Sequence, residues 1–128
     1  MKIYALTSIS PKVLRDLLHD RIRTLEIKSI HNLNALMDIN VGDLLFITAK
    51  SKEDLKRGDE GYIARVRSKQ LSVQRIIQYD IYEECETIVG RVQLEIMGNG
   101  RVIGIEDRGF GRELIVQVRE RIEHYRAG

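Results

Sequence analysis
Thr24, Glu26 and Lys28 stand at alternate positions. In a strand, where side chains alternate with a period of two, they would bring a hydroxyl, a carboxylate and an ammonium to one face. Two readings fit the trio: it could hydrogen-bond the edge of a nucleotide base, or it could be an ordinary cross-strand ion pair. His31, beside Asn32 at the end of that stretch, is a further donor for a phosphate or a base, or a side chain that packs or caps. Arg65 and Arg67 form a basic stretch with Lys69 and Arg75, suited to phosphate contacts or simply to solvation. A hydrolase would need a nucleophile activated by a base. Thr24, with Lys28 or Arg23 nearby and a carboxylate from Glu84, Glu86 or Glu95, would supply those groups.

Other patterns carry less chemistry. Gly98-Asn99-Gly100 and Gly109-Phe110-Gly111-Arg112 lack the spacing and the Lys-Ser/Thr ending of a phosphate loop. The second leaves one option, an anion held by Arg112 at the start of a following helix. Phe46 is expected in the core, which leaves Tyr62, Tyr79 and Tyr82 as platforms for stacking bases. His19 and His124 are far apart, and Glu83, Glu84 and Glu86 read as a solvated edge, so neither a metal nor a cofactor is expected. Cys85 is the single cysteine, which excludes an internal disulfide and a zinc finger and points to a reducing, cytoplasmic setting. Net charge is +2, from 21 basic against 19 acidic side chains, so bulk charge does not announce a polyanion partner. No stretch approaches the roughly 20 apolar residues of a membrane span. The opening MKIYALTSIS meets Pro11 and charged residues too soon for a signal peptide, so neither membrane insertion nor export is expected.

These residues need elements to position them. With 128 residues, 43% of them apolar, the chain supports one core and a single domain over 1–128. Lys2 to Leu6 reads as a strand, and Ser10-Pro11 as a helix start, with the serine capping, followed by the apolar stripe Val13, Leu14, Leu17 and Leu18. Ile22 to Ile30 alternates as a half-buried strand that carries the polar trio. Asn32 or Asn34 would cap a helical turn, Gly42 admits a turn, and Leu44 to Ala49 is a buried strand. Tyr62 to Arg67 and Leu71 to Ile77 read as two strands or one bent long strand. Asn99-Gly100 suits a type I′ turn, a hairpin that would set Ile96 against Ile103 and Leu94 against Ile105. Leu114, Ile115, Val118, Ile122 and Tyr125 fit a helical stripe, although Ile115, Val116 and Val118 also suit a strand; a C-terminal helix is the expectation. The order argues for an α+β fold with a curved sheet or a small barrel.

Three segments, Arg23-Thr24-Leu25-Glu26-Ile27-Lys28, Val41-Gly42-Asp43-Leu44-Leu45-Phe46-Ile47 and Gly61-Tyr62-Ile63-Ala64-Arg65-Val66, resemble the opening half of a PUA-like barrel of the ASCH type. The resemblance covers roughly residues 20 to 70. The family's pattern is Gly-x-Lys-x-x-Glu-x-Arg. Glu26 matches its glutamate, Arg23 takes the lysine position, Lys28 takes the arginine position, and Arg21 stands where glycine is usual. The chain as a whole also resembles a family of small archaeal proteins of unknown function. What the PUA-like resemblance implies is a small curved barrel with one or two N-terminal helices and RNA or a nucleotide as partner. Its cleft would be lined by Arg23, Thr24, Glu26, Lys28 and His31, with Arg65 and Arg67 on phosphates. Some small ASCH proteins are amidohydrolases acting on acetylated cytidine, which makes catalysis the alternative. Arginine at position 23 removes the lysine whose pKa such chemistry lowers, so binding is expected over catalysis. A non-enzymatic protein-interaction domain is the third possibility.

Overall fold
A computed structural model describes residues 1–78 and 83–122, with side chains for 1–73 and 88–120. Six strands and two helices run in the order β1 (Lys2–Leu6), α1 (Pro11–Asp20), β2 (Ile22–Ile27), α2 (Ile30–Asp38), β3 (Leu44–Ile47), β4 (Glu60–Gln78), β5 (Glu83–Asp107) and β6 (Leu114–Ile122). All six join one sheet in the order β2-β5-β4-β3-β1-β6, and β6 pairs again with β5. The pairings among β1, β3, β4, β5 and β6 therefore return to their starting point. Only β1 and β3 run parallel, as their connection through α1, β2 and α2 requires.

Period-two alternation divides the apolar residues between two clusters. Ala5, Phe46, Ile63, Val102, Leu114, Val116 and Val118 form one, to which each of the five ring strands contributes. The neighbouring residues Leu6, Leu45, Ile47, Ala64 and Val66 point the other way and pack with Leu14 and Leu17 of α1, Ala35 and Leu36 of α2, and Leu25 and Ile27 of β2. Five strands thus close on one core while two helices and β2 cover a second. The expected α+β character holds, and β4 is one long bent strand, with a register irregularity between Val66 and Ser68.

Two expectations are corrected. No hairpin exists at Asn99-Gly100: β5 runs straight through, with Gly100 paired to Gly61 on β4 and to Glu120 on β6. Its even row, Val92, Leu94, Ile96, Gly98, Gly100 and Val102, is buried without interruption. Met97 has no partner on β4, and this bulge passes the even row from the helix-covered core to the ring core. The glycines are there for close approach. A Cβ on Gly100 would lie 3.0 Å from Ile63 Cδ1, and one on Gly61 would overlap the Phe46 ring. The second correction concerns the C-terminus, where Leu114–Ile122 is strand β6. Val116 and Val118 are buried in the ring core while Gln117 and Arg119 alternate outward, so the β-branched cluster decides. With it goes the expected helix after Gly111, and with that helix the anion site at Arg112.

Candidate functional site
Thr24 and Glu26 lie on β2, which ends at Ile27 rather than at the expected Ile30 and leaves Lys28 just beyond it; β2 pairs only with β5 among the described residues, so its other edge is free. The Ile96 N–H donates to the Arg21 carbonyl at 2.8 Å, which makes that a hydrogen-bonded pair. By alternation, the main-chain groups of Thr24 and Glu26 then point away from β5. A cleft of about 390 Å³ is lined by residues 23–29 together with Ser8, Ile9, Ser10, Val13 and Asn32. Arg23, Thr24, Glu26 and Lys28 therefore do share one cleft.

Their charges are partly engaged. Lys28 Nζ lies 3.1 Å from Glu26 Oε1, both side chains being exposed. Arg23 reaches Asp20 at 2.7 Å and Asp16 at 3.8 Å. The hydroxyls are freer. Ser10 and Ser29 occupy the N-cap positions of α1 and α2, yet neither side chain makes the capping hydrogen bond, contrary to the capping role expected of Ser10. Ser29 Oγ is buried and has no hydrogen-bond partner among the described residues. Ser8, which also lines the cleft, sits at φ 57, a left-handed backbone unusual outside glycine.

His31 does not line this cleft. It is the second residue of α2, and its Nε2 is 2.9 Å from Thr7 Oγ1. Next to it, Asn32 is locked to the end of β1: its Oδ1 accepts from the Thr7 amide at 3.0 Å and its Nδ2 donates to the Thr7 carbonyl at 2.8 Å. Burial, and then the Lys52 ammonium, hold the His31 imidazole below its ordinary pKa. The ring lines a second depression, of about 330 Å³, shared with Ile30, Lys52, Glu53, Asp107 and the Gly109-Phe110-Gly111 loop. The first turn of α2 is therefore a partition, with Ser29 and Asn32 on the cleft side and Ile30 and His31 on the other.

Arg65 and Arg67 lie elsewhere. Arg65 is opposite Glu95 on β5, which is opposite Ile22 on β2. Residues directly opposite in a ladder share a face, so these arginines stand two strands, about 10 Å, from β2 on the outward sheet face. Arg67 pairs with Glu95 at 3.5 Å. Glu95 is thus committed away from Thr24, while the side chains of Glu84 and Glu86, and Tyr79 and Tyr82 altogether, lie outside the described residues. Lys69 is spent on α2, donating to the Leu36 and Ile39 carbonyls at its C-terminus. Among the described residues no cluster suits a metal ion, and no helix is long and apolar enough to cross a membrane.

The family model described as a protein of unknown function, DUF473, matches residues 1–116, the stretch that carries both cavities. The chain belongs to the DUF473 family. It is also similar to the uncharacterized protein MJ0105 of Methanocaldococcus jannaschii, 38% identical over 106 residues, which are 83% of this chain and 68% of that one. The expected likeness to small archaeal proteins of unknown function is met. Sequence reasoning missed Ser8, Ser29 and Thr7 in this DUF473 chain. Their signal lies only in position, since a serine before a helix is ordinarily a satisfied cap.

Proposed function
We propose that this chain is a nucleotide- or RNA-binding module of PUA-like type that seats a nucleotide in the cleft along β2. The observation that carries the reading is the buried, unpartnered Ser29 hydroxyl in a cleft where Arg23, Thr24 and Lys28 converge. A buried hydroxyl without a partner costs about 1–3 kcal/mol, and a polar ligand would remove that cost. The uncapped first turns of α1 and α2 add main-chain amides and a favourable dipole for a phosphate. The returning ring of strand pairings supports the PUA-like reading of the fold. Binding is favoured over hydrolysis because Lys28 and Glu26 are engaged with each other, leaving Thr24 without a neighbouring base.

Titration calorimetry with a nucleoside monophosphate and with short single-stranded RNA, at low and moderate salt, tests this. Exchanging Arg23 and Lys28 together for glutamine is expected to weaken both ligands tenfold or more and to flatten the salt slope. Exchanging Arg65 and Arg67 for glutamine should spare the mononucleotide and weaken only RNA long enough to cross two strands. A parent protein that binds neither ligand overturns the proposal.

A further inference from the structure
Phe110 is fully exposed, at the tip of the loop between β5 and β6, and that loop is not loose. Lys52, whose side chain is only 7% exposed, pairs with Asp107 at 3.1 Å and donates to the Gly109 and Arg112 carbonyls at 2.6 and 3.1 Å. Asn34 donates to the Gly111 carbonyl, and the Gly109 amide donates to Asp107 Oδ1 at 2.9 Å. Buried Glu113 accepts from Arg108 at 3.0 Å and from Arg112 at 3.4 Å. Gly109 and Gly111, at φ 117 and 71, give the backbone the left-handed turns that set the phenylalanine outward. These contacts hold the backbone on both sides of Phe110, so the loop that presents the ring to water has little ordering entropy left to lose on binding.

The surroundings select the kind of partner. Only Ile30 adds a large exposed apolar side chain to the depression beside Phe110, far less than the patch a stable protein interface buries. Apart from Gly109 and Gly111, the other lining residues, His31, Lys52, Glu53 and Asp107, carry polar side chains. Among them, His31 uses Nε2 on Thr7, and its Nδ1 makes no hydrogen bond among the described residues. Because a hydroxyl either donates or accepts, the imidazole can take either tautomer and offer Nδ1 as acceptor or donor. The local charges nearly cancel, with Lys52, Arg108 and Arg112 against Asp107, Glu113 and Glu53, so a strongly anionic ligand gains little. We infer that the depression between His31 and the 109–111 loop is a subsite for an unpaired aromatic base, which stacks on Phe110 and hydrogen-bonds through its edge to His31. This subsite shares no lining residue with the β2 cleft and does not depend on what the cleft binds.

The chain has two phenylalanines, and Phe46 is fully buried, so protein labelled with fluorophenylalanine gives one buried and one exposed fluorine resonance. Phe110→Leu, at a fully exposed position, assigns them. Adenosine and cytidine, which carry no phosphate, are expected to shift the Phe110 signal saturably and leave Phe46 unmoved. His31→Ala should raise the midpoint of that titration about tenfold, with an unchanged Phe46 signal reporting an intact core. Loss of the ring in Phe110→Leu should weaken adenosine about ten- to a hundredfold, read from the nucleoside's own resonances. The cleft variant lacking Arg23 and Lys28 should titrate as the parent does. No shift at saturating nucleoside overturns the inference, as does an equal shift with inorganic phosphate. A Phe110 signal that moves with protein concentration alone overturns it in favour of contact between copies of the chain.

Discussion
His31 is held by two features that act in opposite directions. Its bond to Thr7 fixes the ring, whereas burial and Lys52 disfavour the imidazolium and lower its pKa. The unfolded chain, with an ordinary imidazole titrating near about 6.5, takes up the proton first as pH falls. Stability contributed by neutral His31 is therefore complete above that value and is lost as pH drops through the depressed folded one. Denaturant unfolding at a series of pH values between neutral and mildly acid should show the parent losing stability faster than His31→Gln, so that the gap between them narrows; parallel curves would refute the coupling. At this scale the polar trio was legible, because period two alone puts Thr24 and Glu26 on one face. Sequence proximity alone would put His31 in the same cleft, whereas it lines the second depression. The missing information is angular: Ile30 begins a helix, and its first turn carries His31 to the far side of Asn32.

Glycines decide where strands approach one another, and the cost of filling each one follows from what it meets. A methyl group at Gly61 would overlap Phe46 in the ring core and sit against the Ile47 carbonyl, whereas at Gly104 it would meet only the flexible Gln117 side chain, at 3.4 Å. Gly61→Ala should lose about 1–3 kcal/mol by overpacking. Gly104→Ala should be neutral or gain up to about 1 kcal/mol by restricting the unfolded chain. Thermal melting of the pair checks both. Equal melting temperatures would mean that the walls of the ring are not in the contact described. A glycine also explains why no hairpin forms: Gly98-Asn99-Gly100 has the composition of a turn, but Gly100 yields space to Ile63 on the neighbouring strand β4, a contact no local pattern reveals. For β6 the local signal was ambiguous, and pairing with β1 and β5 on both sides resolved it in favour of strand. β1, α1, β3 and the irregularity in β4 are readable because proline position and apolar patterning agree with the tertiary arrangement there, even though Ser10 does not cap α1.

Across the whole molecule, β5 is the shared member, flanked by β4 on one side and by β2 and then β6 on the other. Hydrogen exchange followed by mass spectrometry should find residues 90–102 the slowest, opening only with global unfolding. β2, with its free edge, should exchange faster despite its buried Leu25 and Ile27. Uniform rates across these strands would contradict the connectivity. The ring also orders events in time. Its seam joins residues 2–5 to residues 114–117, nearly the full span of the described chain. During synthesis on a ribosome, β1 can pair with β3 early but leaves its other edge bare until residues 114–117 emerge. A nascent chain stalled before that point presents two sticky edges, on β1 and on the second half of β5, to neighbouring chains or to chaperones. Arrival of one nine-residue strand closes both at once.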